Sequence, residues 1–522
     1  MSIPSPTVSG SHTIFRNSLW SGVDLAFSFV TTLVTSVLVA RAMGPAKLGY
    51  YSYVLWLVQM TFLLASLGVP AATRKYLAEY MGRGQDQVVG GIIRLSLRVQ
   101  ATSALAIIGI GLALSLTALP PEHRTYTQLA ILSLLPAMLL AVPSAINWAQ
   151  GDFAPNTISS IAASTVHVIA VLASLALGLD LPGLAAAMLL SRVVDCTLRF
   201  ALLRRRWPAL WALVADHTAL PGDLRARIVR FGAQSTALLI LDLVVWNRSE
   251  VFFLKALCDI RAVAFFSLAF GLVAAVKQLA EPIAWAASPT LMKTQARAPR
   301  EGARLTGEFL RYLALLAVPA TLGLAALSAA LVRTLYGPAY SPAIPVVVVA
   351  TLLSLPSTLS SPAHYHIAAA DAQSFLVKWL ILCAAITLGL DYWLVDRWCA
   401  LGGAVANGVG QIIANLGAWA FVLWRFEVRL PAQDLARILA AGAVMASLVA
   451  ALSTLVPPPV SLVAGPPLGA LLYALLLRRA GVLDERDHAR LLEVTESLPA
   501  GLRGACRTAV GLLTGRPLPF AS

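Results

Sequence analysis

Apolar stretches separated by short polar interruptions run from about Ser18 to Arg479. About fourteen of them are long enough to cross a bilayer, which takes roughly 20 mostly apolar residues at about 1.5 Å rise each. Leu25–Val39, Val54–Leu67, Ile131–Ala145, Leu238–Val245, Ala314–Ala330 and Ala440–Leu455 form cores of such helices. The connections are too short to be soluble domains, and even the longest polar interruption, Arg204–Arg227, reads as a loop. The pattern predicts an all-α, polytopic membrane protein.

Composition sharpens this. Hydrophobic residues make up 58% of the chain, and mean hydropathy is +0.77. Only 12% of residues are charged, yet the net charge is +14. In a soluble protein that excess would suggest nucleic acid; here the cations sit in alternate loops. One side carries Arg74, Lys75, Arg83, Arg204–Arg206, Arg225, Arg227, Arg230, Lys293, Arg297, Arg300, Arg304, Arg425, Arg429, Arg437 and the tail from Arg478. The opposite loops carry little beyond Arg41, Lys47, Arg124, Lys255, Arg261, Arg333 and Arg397. The positive-inside rule then places both termini in the cytoplasm, with an even number of spans. The N-terminus, with Pro4, Pro6 and no apolar core before Ile14, does not read as a cleavable signal peptide. Cys196, Cys258, Cys383, Cys399 and Cys506 are scattered without metal-binding spacing, so buried free thiols are expected.

The chain repeats itself at about half its length. Arg16 and Arg41 bracket a first helix as Arg230 and Lys255 bracket a later one, both pairs 214 positions apart. Tyr50-Tyr51-Ser52 parallels Phe265-Phe266-Ser267, and Asp152 parallels Asp371 at an offset of 219. Such order implies two homologous lobes of about six helices, related by a pseudo-twofold axis along the membrane normal around a central cavity. The expected organisation is an N-terminal lobe over 1–203, a cytoplasmic linker over 204–227 and a C-terminal lobe over 228–426. Two extra helices over 427–479 and a cytoplasmic amphipathic tail over 480–522 complete it. Arg204-Arg205-Arg206-Trp207 reads as a linker segment held on anionic lipid.

Three segments carry a resemblance to a known group. They are Phe15-Arg16-Asn17-Ser18, the junction Ala42-Met43-Gly44-Pro45 through Leu48-Gly49-Tyr50-Tyr51-Ser52, and Gly68-Val69-Pro70-Ala71-Ala72-Thr73-Arg74-Lys75-Tyr76. They resemble the Wzx-type oligosaccharide flippases, the polysaccharide transporter branch of the multidrug/oligosaccharidyl-lipid/polysaccharide exporter superfamily. The resemblance is strongest over residues 14–80; elsewhere it rests on helix count and repeat. It implies translocation of an undecaprenyl-pyrophosphate-linked oligosaccharide across a bacterial inner membrane by alternating access, for surface polysaccharide assembly. It implies no cofactor and no metal. Protons or sodium ions and a polysaccharide polymerase machinery are the further partners it brings into view.

Ionisable residues at bilayer depth cost about 2.5–3.5 kcal/mol each on insertion scales, so each needs a reason. Asp24 lies about 12 Å beyond Arg16, Asp242 about 18 Å beyond Arg230, and Arg192 about 15 Å beyond Pro182. Arg248 and Glu250 follow Asp242, and Lys277 and Glu281 sit four apart on the next helix. The resemblance puts Asp24, Asp242, Arg248 and Lys277 at or near the cavity. A pyrophosphate needs cations there, which selects Arg248, Lys277 and Arg192 as headgroup contacts. Asp24, Asp242 and Glu281 are candidates for ion coupling. Plainer roles stand beside these: Lys277 neutralising Glu281, Arg192 neutralising Asp195, and Arg248 snorkelling to the outer headgroups. The stripe Asn407, Gln411, Asn415 reads as glue between helices.

Other function classes remain in view. A cation-coupled multidrug exporter of the same superfamily comes next, then a lipid II flippase. The latter is weakened because the basic residues that group places in its first helix are absent at Ser21-Gly22-Val23-Asp24. A membrane polysaccharide polymerase or ligase is disfavoured, since the outer loops are short and nearly devoid of His. No GxxxxGK[ST], HExxH or GxSxG motif occurs, so an enzyme is not expected.

Overall fold

The computed structural model describes residues 11–215, 220–246, 248–482 and 487. Its helices are α1 (Ser11–Ala65), α2 (Val69–Gly82), α3 (Asp86–Ala118), α4 (Pro121–Leu132), α5 (Leu134–Ala149), α6 (Ala154–Ala176), α7 (Asp180–Arg206) and α8 (Pro208–Ala215). They continue as α9 (Gly222–Trp246), α10 (Glu250–Leu257), α11 (Ile260–Arg297), α12 (Pro299–Leu331), α13 (Ala343–Thr358), α14 (Ser361–Ala369), α15 (Gln373–Phe426), α16 (Ala432–Leu455) and α17 (Pro458–Ala480). Among the described residues there is no strand. The all-α expectation holds.

Among the described residues, eleven helical stretches are long and apolar enough to cross a membrane. The count of about fourteen differs for two physical reasons. Leu19–Ala65 and Gln373–Phe426 each run through a break and are long enough for two crossings. In α1 the break is Gly44, at φ 73°, followed by Pro45; in α15 it is Cys399, at φ 44°. The α7 helix, which carries Arg192, Asp195 and Arg199, is not among the eleven.

The chain forms two compact units. Unit 1 holds residues 1–251 and 259–264; unit 2 holds 252–258 and 265–522. In unit 1 a core of Tyr76, Leu77, Ile92, Ile146, Leu203 and Leu224 joins α2, α3, α5, α7 and α9. Leu210 of α8 is buried in the same core, and Arg94 donates to the carbonyls of Leu213 and Val214. The part of the expected linker that follows Arg204–Trp207, α8, therefore packs on protein within unit 1.

In unit 2, α16 and α17 pack on α12 through Val318, Met445, Val449 and Tyr473. Arg311 of α12 fastens this group, with its guanidinium 2.9 Å from Asp434 and 2.5 Å from Asp487. The remainder of the expected amphipathic tail, apart from residues 480–482 and Asp487, lies outside the described residues.

Two glycines spaced near the offset of the expected repeat have like surroundings. Gly90 on α3 lets the Leu213 carbonyl approach so closely that an added Cβ would stand 2.2 Å from it. Gly307 on α12, 217 positions later, does the same for the Arg429 carbonyl at 2.6 Å.

Candidate functional site

Polar side chains inside an apolar helix must find partners or draw water, and unit 2 collects several around one cation. Lys277 lies about 26 Å along α11 from Ile260, Ser357 about 21 Å along α13 from Ala343, and Gln411 about 18 Å along α15 from its break at Cys399. The three helices bring them together. The half-buried Lys277 Nζ donates to Ser357 Oγ at 3.2 Å and to Gln411 Oε1 at 3.1 Å. Gln411 Nε2 in turn donates to Asn407 Oδ1 at 2.8 Å, and Asn415 Nδ2 donates to the Gln411 carbonyl at 2.7 Å. Asn407, Gln411 and Asn415 are all buried, one turn apart on α15. A stripe read as helix glue thus also orients a cation.

The ammonium is held by neutral oxygens. Glu281, one turn along α11, is not among the groups that hydrogen-bond it, although the two opposite charges are near enough to attract one another. An ammonium has three donors, and the described residues supply acceptors for two. Chemically this is a positive charge with a spare donor among the described residues, steered by three helices, with the Glu281 carboxylate one turn away.

Unit 1 handles its buried charge differently. Arg199 Nη2 lies 2.7 Å from Asp195 Oδ1, and the same guanidinium bonds Ser159 Oγ at 3.1 Å, Ser144 Oγ at 2.7 Å and the Asn156 carbonyl at 3.4 Å. This cluster ties α5, α6 and α7 together and neutralises itself, which makes it structural. The expected Arg192–Asp195 pair is replaced by Asp195–Arg199, with the acid N-terminal at i,i+4, the better orientation on a helix. Arg192 itself is exposed on unit 1, three positions before Asp195, whose contact within ion-pair distance is Arg199.

The other candidates are dispersed. Arg248 is half-buried at the break between α9 and α10, in the left-handed region at φ 61°. Asp24 is half-buried on α1, where Ser28 Oγ approaches Oδ1 at 3.5 Å. Asp242 sits on α9, and its side chain lies outside the described residues. Glu281 is half-buried on α11. The residues that sequence reasoning missed are Ser357 and Arg199. The only available signal for Arg199 was its position one turn beyond Asp195. Ser357 carried no signal at all.

The family model described as "polysaccharide biosynthesis protein" matches residues 14–295. The chain belongs to this family. No curated protein matches it by sequence. Among solved structures it is similar to the lipid II flippase MurJ in an inward closed conformation, with TM-score 0.68, 15% identity, 88% of this chain and 97% of that one covered. An inward-facing multidrug resistance MATE family transporter of the MOP superfamily aligns with TM-score 0.64 and 13% identity, covering 78% of this chain and 98% of that one. An outward-facing MATE family transporter aligns with TM-score 0.53 and 15% identity, covering 82% and 99%. Identities this low speak for the fold. This member of the family is a multi-pass membrane protein whose fold is similar to that of the MurJ and MATE structures.

Proposed function

We propose that the chain is a flippase for an undecaprenyl-pyrophosphate-linked oligosaccharide in the bacterial inner membrane. It acts by alternating access, without covalent chemistry and without a nucleic-acid partner. The observation that carries this reading is Lys277: a cation on an apolar helix, hydrogen-bonded to Ser357 and Gln411 and, among the described residues, to no carboxylate. Such a group favours an anionic headgroup over a cationic drug. Family membership supplies the context of glycan assembly. The similar solved structures, which include inward- and outward-facing transporters, support a moving carrier over an enzyme. Arg248 and Arg192 are assigned as further headgroup contacts. Asp24, Asp242 and Glu281 are assigned to coupling with protons or sodium.

The test is made in cells lacking the gene, measuring the leaflet of lipid-linked oligosaccharide and the amount of surface polymer. The expected result is inner-leaflet accumulation with polymer lost, restored by the wild-type chain and by Lys277→Arg but not by Lys277→Met. Correctly distributed lipid-linked sugar with raised sensitivity to cationic drugs would overturn the flippase and install the multidrug exporter. Rescue by Lys277→Met would leave the flippase standing and remove Lys277 from the headgroup site.

A further inference from the structure

The five cysteines are not all free thiols. Within unit 2, Cys258 and Cys399 are joined across 141 positions, with Cα atoms 5.9 Å apart, a spacing a disulfide can bridge. Cys196 and Cys383 are free and buried, and Cys506 lies outside the described residues. The bonded pair occupies a distinctive place. Cys258 closes the turn between α10 and α11, and Cys399 is the break in α15. Both are half-buried. Beside Cys399, Tyr392, Trp393 and Trp398 are at least half exposed, and Arg397 stacks over Trp393 at 4.3 Å. That is the amphipathic aromatic set of a membrane–water interface. These turns also belong to the loops poor in Lys and Arg.

Unit 1 carries a tie at the corresponding place. Asp180 lies 219 positions before Cys399, the offset of the repeat, and shares its left-handed backbone, φ 52° against 44°. Gly44, the break in α1, lies 214 positions before Cys258, and Lys47 follows within one turn. Lys47 Nζ contacts Asp180 Oδ2 at 2.5 Å. Both units therefore fasten their first interhelix turn to the break that precedes their last repeat helix. One uses an exposed ion pair, the other a covalent bond.

We propose that Cys258 and Cys399 form an extracytoplasmic disulfide staple, the covalent counterpart of the Lys47–Asp180 tie, and that a thiol oxidant of the compartment outside the membrane installs it. The two thiols lose two protons and two electrons and form the S–S bond. The oxidant's own disulfide accepts both and leaves as a dithiol, through a mixed disulfide with one of the two cysteines. Disulfides persist outside the cytoplasm and not within it, so the bond also fixes the orientation: Cys258 and Cys399 face out, and the arginine-rich loops face in. The inference is independent of the cargo.

The full-length protein, in membranes from cells with an oxidising periplasm, is denatured and labelled with a polyethylene-glycol maleimide. Three of the five cysteines should react before reduction and all five after it. Five reactive thiols without reduction would overturn the staple. A membrane-impermeant phosphine should open the bond in right-side-out vesicles and leave it closed in inverted ones; the reverse would overturn the orientation. Joint Cys258→Ser and Cys399→Ser should lower the thermal midpoint in detergent by more than joint Lys47→Ala and Asp180→Ala. An unchanged midpoint would overturn the stabilising role. Should the serine variant fail to accumulate, the labelling of wild-type protein still decides.

Discussion

A charged side chain in hydrocarbon is defined by what touches it, and Lys277 and Arg199 show the two outcomes. Arg199 is closed on itself by Asp195 and two hydroxyls, whereas Lys277 gives its hydrogen bonds to neutral oxygens, with Glu281 one turn away. Gln411→Glu would place a carboxylate on Lys277 while preserving shape. Transport should fall to the level of Lys277→Met, with expression and thermal midpoint close to wild type, as read by polymer restoration and detergent melting. Arg199→Met strands Asp195 as an unpaired buried charge, which costs about 3–5 kcal/mol. Arg199→Met combined with Asp195→Leu should recover most of that loss in the same melting assay. The identities of Lys277 and Asp195 as costly residues were legible from their positions in apolar helices. Their partners were not: Ser357 and Gln411 lie 80 and 134 positions from Lys277, beyond the reach of helical spacing.

At the scale of elements, apolar length and glycine placement did most of the work. Helices form wherever the apolar runs allow, because every backbone N–H and C=O must be satisfied internally in lipid. Breaks come where the backbone can turn left-handed, as at Gly44. Gly44→Ala should cost about 1–3 kcal/mol, because φ 73° with ψ 176° is open essentially to glycine alone. Gly307→Val places a side chain against the Arg429 carbonyl and should cost about 1–3 kcal/mol by overpacking. Both are checked by thermal unfolding in detergent, with Gly271→Ala, which meets no neighbour, as the neutral control. The docking of α8 on α3 was not legible. Pro208–Ala215 has the composition of an interfacial segment, and only the groove beside Gly90 decides that it packs on protein.

For the whole molecule, the distribution of Lys and Arg makes a prediction that requires no knowledge of cargo. A cysteine introduced as Arg205→Cys should react with an impermeant maleimide only from the cytoplasmic side, and one introduced as Asp396→Cys only from outside. Agreement between this pattern and the vesicle reduction of Cys258–Cys399 would establish the orientation by two unrelated chemistries. The same sidedness for both introduced cysteines would refute it.

What the sequence determined by itself was whatever depends on local composition and period: membrane residence, an all-α fold, the repeat and the family. These follow from apolar run length, charge asymmetry and ordered self-similarity, each of which is one-dimensional. What only the tertiary structure decided was pairing: Cys258 with Cys399, Lys277 with Gln411 and Ser357, and Asp195 with Arg199 rather than Arg192. The first two pairings depend on which helix faces meet after the chain has turned back on itself. The third is an i,i+4 pair that spacing allows, and the bonds of Arg199 to Ser144, Ser159 and Asn156 on neighbouring helices select it over Arg192.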